Sequence, residues 1–284
     1  DTFRIRKGDV EAGFAKADVI IEETYTMGAQ EHAYLQPDAG LAWVDENGRV
    51  IVKTAGQWAH DDQRLIAHSL DLPEDQVQVI YTYTGGAFGG REDVSVQIIL
   101  GLAAYKVGRP VKVIWSREET TIGHHKRHPM KIHQKWGATK DGKLTAQKTE
   151  ILADAGAYAS TTSYVVSSTV LLSTGPYEVE NVWLDGQAVF TNNITSGAFR
   201  GFGVPQAVFA AELQMARLAE ALDMDPVELR MRNLVREGSL TGTMMEVMPK
   251  CSARETLDAA AQAAGWTLSS DTWERNRVSR EVRH

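Results

Sequence analysis

The chain has 284 residues, 43% hydrophobic and 24% charged, an ordinary globular composition with room for one large domain or two small ones. A net charge of −7 with no long basic run argues against a nucleic-acid partner, and no apolar stretch is long enough to span a bilayer. The single cysteine, Cys251, excludes an internal disulfide and any iron–sulfur cluster held by this chain's cysteines alone; this composition, with no visible signal peptide, points to the cytoplasm.

The chain opens at Asp1 without an initiator Met and stops in a charged run with no terminating pattern. A piece of a longer polypeptide, or one subunit of a split one, is expected. A short segment at 10–15 precedes a strand over Val19–Thr26. Asn47-Gly48, between LAWV and RVIVKTA, predicts a hairpin. Its second strand runs into Gln57 and then a helix over Asp61–Ser69. Gln57 therefore sits at a strand-to-helix junction, where a polar side chain can satisfy a helix end.

The run from Val77 to Val107 reads as central strand, glycine loop and helix. Val77, Val79 and Tyr81 alternate with Gln78, Ile80 and Thr82 in a run rich in β-branched and aromatic residues, and Val96, Ile99, Leu100, Ala103 and Ala104 recur at helical spacing. Glu92 and Asp93 are expected in the first helical turn, where the helix dipole favours carboxylates. Between them, Gly85, Gly86, Gly89 and Gly90 surround Phe88 and leave backbone N–H groups with little side-chain cover, suited to an anionic ligand. No Gly-Lys-Ser/Thr follows, and the glycine spacing is not that of a dinucleotide fingerprint. A tight turn without function is the alternative.

VKVIW then reads as a strand and SREET as a polar segment. His124, His125 and His128 lie within five positions, but no Cys or carboxylate pattern accompanies them. That basic loop is expected as a surface or interface contact rather than a metal site. Asp141-Gly142 predicts a second hairpin. Residues 161–176 are ambiguous, and a strand over Val182–Phe190 carries a potential break at Asp185-Gly186. Strand, glycine loop and helix then recur: Gly197-Ala198-Phe199-Arg200-Gly201-Phe202-Gly203 precedes a helix with Val208, Ala211, Met215, Leu218 and Leu222 on one face. Both loops contain Gly-Ala-Phe, and two such loops can converge on one ligand. Arg200 adds a planar, bidentate cation. Asp225-Pro226-Val227-Glu228 reads as a capping box. Cys251–Trp266 reads as an amphipathic helix with Leu257, Ala260, Ala261 and Ala264 inward, its partner surface expected beyond His284.

From EHAYLQPD at 31–38 to this last helix, the chain resembles the molybdenum hydroxylase family, the xanthine dehydrogenase and aldehyde oxidase group, in the N-terminal half of its molybdopterin-binding part. GGAFGGRE at 85–92 and GAFRGFGVPQ at 197–206 carry the likeness, with Arg-Met-Arg-Asn at 230–233 in support. The resemblance implies an α+β fold of mixed sheets with helices, in intertwined lobes. Residues 1–241 would form the first lobe with both glycine loops, and 242–284 the truncated start of a second. It implies an oxidoreductase that hydroxylates a purine or related N-heterocycle with water-derived oxygen. Gln57, Phe88 and Arg200 would surround the molybdenum without being direct ligands. Gly86, Ala87, Phe88 and Gly89 would join Gln57 and Arg200 in holding the cofactor. Glu92 would hydrogen-bond the substrate and Phe202 stack on its ring, with Glu92 and Arg200 stabilising charge developing on it. The cofactor would be molybdopterin, plain or in the cytosine dinucleotide form. Partner domains or subunits would carry 2Fe-2S clusters and FAD, a further chain segment the remaining molybdopterin-binding half, and an oligomer is expected.

Two departures matter. The family's catalytic base is a glutamate in a Gly-rich motif far C-terminal to this region, and no such motif precedes His284. Purine oxidases also carry a substrate-gripping arginine about thirty residues before the second glycine loop, where this chain has Ser168. An aldehyde oxidoreductase of the same family and a noncatalytic assembly subunit are the other readings; Glu92 argues against the first of these.

Overall fold

A computed structural model describes residues 2–269 and 272–275. Among the described residues the chain builds two large sheets, each with its own core, and two two-stranded ones. The larger sheet is assembled from β1 (Thr2–Lys7), β2 (Val19–Met27), β8 (Met130–Ala138), β9 (Leu144–Gly156) and β10 (Asn181–Phe190), in the order β1-β10-β9-β8-β2. Only the β9–β10 pair is parallel; the other three are antiparallel. The smaller sheet takes β3 (Ala39–Val44), β4 (Val50–Thr54), β5 (Val77–Tyr81) and β6 (Val111–Ile114), in the order β5-β4-β3-β6. The β5 strand that leads into the first glycine loop is an edge strand, paired in parallel with β4 alone.

Alternation explains the larger core. On β8, Met130, Ile132, Trp136 and Ala138 are buried on one face while Lys131, His133 and Lys135 point away. That face meets α5 (Thr162–Leu171) and α6 (Val204–Ala221) through Val165, Val166, Val170, Ala211, Met215 and Leu218. The opposite face carries α1 (Val10–Ala15), where Val10 and Phe14 meet Ala146 and Trp183. In the smaller core, Val50, Val52 and Val77 pack against Ile66 of α2 (Ala59–Leu70) and Leu100 of α3 (Gln97–Val107). Gly40 makes this close approach possible, since a Cβ there would lie 2.4 Å from Leu100 Cδ1.

Both hairpins form where expected, β3–β4 around Asn47-Gly48 and β8–β9 around Asp141-Gly142. The ambiguous stretch at 161–176 is α5, and β10 runs unbroken through Gly186, whose missing side chain leaves room for Val170. The polar SREET segment is α4 (Arg117–Gly123), closed by a capping box between Ser116 and Glu119. Short strands β7 (Lys126–Arg127) and β11 (Ser196–Gly197) pair in parallel and tie the basic loop to the second glycine loop.

Asp225 does cap α7 (Pro226–Asn233), accepting from Val227 N at 2.8 Å, but Glu228 does not reach back to complete the box. It bonds Arg232 and the backbone N–H of Trp273 instead. The last helix is shorter than predicted, α8 (Ala253–Ala263), and of its expected inward face only Ala261 is buried, with Leu257 half-buried. With the hairpin of β12 (Trp266–Ser269) and β13 (Thr272–Arg275), it packs on the main core, where Ala261 and Trp273 are buried. The partner surface expected beyond His284 is, for these residues, within the chain.

Candidate functional site

The first glycine loop is held from three sides. Arg91 is buried and donates to Gly86 O at 3.2 Å, to Gln36 O at 2.7 Å and to Asp38 Oδ1 at 3.0 Å, with its guanidinium over the Tyr34 ring. Asp38 is buried too and also accepts from the Tyr34 and Ser95 hydroxyls, so this charge pair has its hydrogen-bonding capacity used. Gly85 N donates to Gln36 Oε1 at 2.8 Å. Thus EHAYLQPD is the seat of the loop. Gly86 and Gly89 both adopt φ of +96°, which glycine tolerates and other residues do not. Phe88 itself is left-handed at φ +56°.

Gln57 locks the other side. Its Oε1 accepts from Gly89 N at 3.1 Å and Arg91 N at 3.2 Å, and its own backbone N–H donates to Arg91 O at 2.9 Å. These bonds assign the amide orientation and leave Nε2 as the outward donor, 3.5 Å from Glu92 Oε1. Gln57 is therefore more than a helix-end residue.

The second loop lies directly on the first. Arg200 N donates to Phe88 O at 2.8 Å, and a Cβ on Gly89 would sit 2.9 Å from the Ala198 carbonyl. Phe199 is sandwiched between the Arg127 guanidinium, 3.9 Å from its centroid, and the His32 ring, stacked at 4.3 Å. Arg127 also donates to Arg200 O at 3.1 Å. The Arg200 side chain is exposed.

A cleft of about 1210 Å³ opens beside the loops, between α2 and α5. Gln57, Tyr81, Glu92, Asp93, Ser168 and Phe202 line it. The structure thus brings three of the expected site residues, Gln57, Glu92 and Phe202, to one cleft. Gly86, Ala87, Phe88, Gly89 and Arg200 form the joined loops next to it rather than its lining. Ser168 also faces the cleft, at the position where an arginine was sought.

Glu92 and Asp93 do not occupy a first helical turn, because α3 begins only at Gln97. They belong to the loop, which lets Glu92 face the cleft. Burial pushes the Glu92 carboxyl up, and the neighbouring Asp93 charge adds to this. Glu92 Oε2 is buried with no hydrogen-bond partner among the described residues. An acceptor left unpaired at a cleft wall suits a ligand that brings a donor.

The histidines expected at the surface are buried, at 3% exposure for His124, 5% for His125 and 0% for His128. They form the floor under the two loops with His32. His32 Nε2 lies 2.6 Å and His125 Nε2 3.1 Å from the same acceptor, Ala198 O. Burial above all drives His32 down to about 3 and His128 to about 4, and lowers His124. Glu31, His32 and His124 bring potential ligand atoms within 4.8 Å of one another. Lys126 Nζ, 2.9 Å from Glu31 Oε2, already supplies the cation there. Sequence reasoning missed Arg91, Asp38, His32 and Tyr81. The signal in the sequence was the place of His32 and Asp38 inside EHAYLQPD, of Arg91 inside GGAFGGRE and of Tyr81 at the end of the preceding strand.

A family model for the molybdopterin cofactor-binding domain matches residues 1–234. The chain belongs to this family. Among similar proteins, the large molybdopterin subunit of nicotinate dehydrogenase from Eubacterium barkeri is 43% identical over 257 residues, covering 90% of this chain and 60% of that subunit. A probable xanthine dehydrogenase subunit from Bacillus subtilis is 37% identical, covering 90% and 34% respectively. The solved aldehyde oxidoreductase from Desulfovibrio gigas superposes with a TM-score of 0.87 at 32% identity, covering 93% of this chain and 30% of that one. The α+β fold is the fold of these molybdopterin-binding regions. The chain spans three fifths or less of the length of these relatives. Among the described residues, no helix is long and apolar enough to cross a membrane.

Proposed function

We propose that this chain supplies one wall of the active site of a molybdenum hydroxylase acting on an N-heterocycle, a purine or a smaller ring such as a pyridine carboxylate. The observation that carries the reading is Glu92, with a buried, unpartnered carboxylate oxygen in the same cleft as the half-buried Phe202 ring. A purine uses both, the ring face against Phe202 and a ring N–H against Glu92; a pyridine carboxylate has no ring N–H, and its ring nitrogen would accept from Glu92 in the carboxylic-acid form that burial favours. An aldehyde such as benzaldehyde has no ring nitrogen for Glu92 to engage.

The residues present suit the molybdenum cofactor on their own chemistry. The Gln57 amide is fixed with its donor outward, and Arg200 is an exposed guanidinium on a loop locked to the Phe88 carbonyl. Both favour an oxygen-rich anionic group. Gly86, Ala87, Phe88 and Gly89 offer their backbone beside them. When bound, the cofactor supplies the two-electron oxidant and the site of oxygen transfer from water. Glu92 and Phe202 then orient the ring, and Arg200 with Glu92 stabilises the charge that develops on it.

In this reading 2Fe-2S and FAD partners carry electrons away, a further molybdopterin-binding half completes the site, and the whole is a cytoplasmic oligomer. The pterin is plain or the cytosine dinucleotide. We divide the chain into a first lobe at 1–241 and the start of a second at 242–284, a division the family match ending at residue 234 supports. The likeness to an aldehyde oxidoreductase favours the second reading, aldehyde oxidation at the same site. The test is turnover of nicotinate, hypoxanthine and benzaldehyde by the purified enzyme that contains this chain, with its molybdenum content measured. A higher kcat/KM on a heterocycle supports the proposal. Preference for benzaldehyde supports the aldehyde reading, and absence of molybdenum supports an assembly role.

A further inference from the structure

The two glycine loops carry different halves of the cleft chemistry, Glu92 on the first and Arg200 with Phe202 on the second. Their relative placement therefore matters as much as either loop. Besides the Arg200–Phe88 backbone bond, the His125 side chain reaches an acceptor on each loop. His125 Nε2 lies 3.1 Å from the Ala198 carbonyl, and its Nδ1 lies 3.4 Å from Asp93 Oδ2. Asp93 Oδ2 is buried and has no formed hydrogen bond among the described residues. Gly197 is the seat of this contact, since a Cβ there would stand 2.4 Å from His125 Cδ2 and 2.5 Å from Asp93 Oδ2.

Both ring nitrogens of His125 thus face acceptors. A neutral imidazole has one N–H and one lone pair, so it would set a lone pair against either the carboxylate or the carbonyl. An imidazolium satisfies both. We propose that His125 is a positioning residue that clasps the two glycine loops as an imidazolium, one ring N–H aimed at the Asp93 carboxylate and the other at the Ala198 carbonyl. Its surroundings agree. The neighbouring His32, His124 and His128 are held toward the neutral form by burial, with the His125 charge a further cause in each. The groups facing the clasp are Asp93 and Glu92 on the first loop, Glu31 and His32 before β3, and His124, Lys126, Arg127 and His128 on its own segment. Lys126 is paired with Glu31, and Arg127 is over Phe199, so Asp93 is left as the counter-charge for His125.

With a hydrogen on each ring nitrogen the two loops are joined through one side chain. The functional consequence rests on the reading of the cleft as the substrate site, but the protonation state does not. Neutron diffraction from crystals of the enzyme at pH 7, exchanged into deuterium oxide, reads it directly. Deuterium on both His125 ring nitrogens is expected, and deuterium on one alone overturns the proposal whatever substrate the enzyme turns over. Kinetics test the positioning role on any substrate the enzyme accepts. Asp93→Asn and His125→Gln should each lower kcat about tenfold at unchanged molybdenum content, with KM within about twofold. The double variant should be no worse than either single one. Losses that multiply to about a hundredfold show two independent roles and overturn the clasp.

Discussion

Arg200 shows what a lone residue contributes at this site. Its backbone is bonded at both ends, N–H to Phe88 O and carbonyl to the Arg127 guanidinium, while its side chain is left exposed. An arginine held rigidly at the backbone and free at the fork fits a ligand contact better than a structural ion pair. Lysine keeps the charge but not the planar geometry. Arg200→Lys in the intact enzyme should therefore lower kcat on the order of a hundredfold at full molybdenum occupancy. An unchanged rate would make Arg200 peripheral.

At the scale of elements, the glycine strings were readable because their spacing is local, and so were the two Asn-Gly and Asp-Gly hairpins. The partners of those elements were not. Nothing local says that Arg91 would bury itself against Asp38, fifty-three positions earlier, or that β5 would end at a sheet edge. The histidines misled for the same reason: a run of polar residues reads as surface, while here it forms the floor beneath both loops. Asp62 on α2 is another case. It is fully buried, accepts from the Tyr81 hydroxyl at 2.7 Å and Gln97 at 3.2 Å, and leaves Oδ1 unpaired. Burial pushes its carboxyl up to about 6. A pKa raised on folding means that Asp62 favours the fold most below the ordinary carboxylate pKa and progressively less as pH rises through about 6. Asp62→Asn has no charge to bury. Its stability relative to the parent should thus increase between pH 4 and pH 8 by roughly 2 kcal/mol. Urea unfolding at the two pH values measures this, and an unchanged difference would contradict the buried-charge account.

Over the whole molecule, two sheets with separate cores hold the cleft between α2 and α5, and the chain spans only part of each relative's length. Apolar surface remains uncovered on α3, where Ile99 is 52% and Val107 62% exposed. In the proposed assembly this face would be covered by the rest of the enzyme. The isolated chain should bind an apolar-surface dye and hold no stoichiometric molybdenum, because one wall alone does not enclose the cofactor. Metal analysis and dye fluorescence on the purified chain check this; a full molybdenum complement would show that these residues suffice.

The central claim, that the cleft selects a heterocycle through Glu92, is tested most directly by steady-state kinetics of Glu92→Val. The substrates are hypoxanthine, nicotinate and benzaldehyde, with enzyme forms matched for molybdenum. Loss of a charged hydrogen bond of about 1.5–3 kcal/mol predicts a fall in kcat/KM of roughly ten- to a hundredfold on the heterocycle the enzyme uses, with benzaldehyde little affected. An equal loss on all three substrates would contradict it.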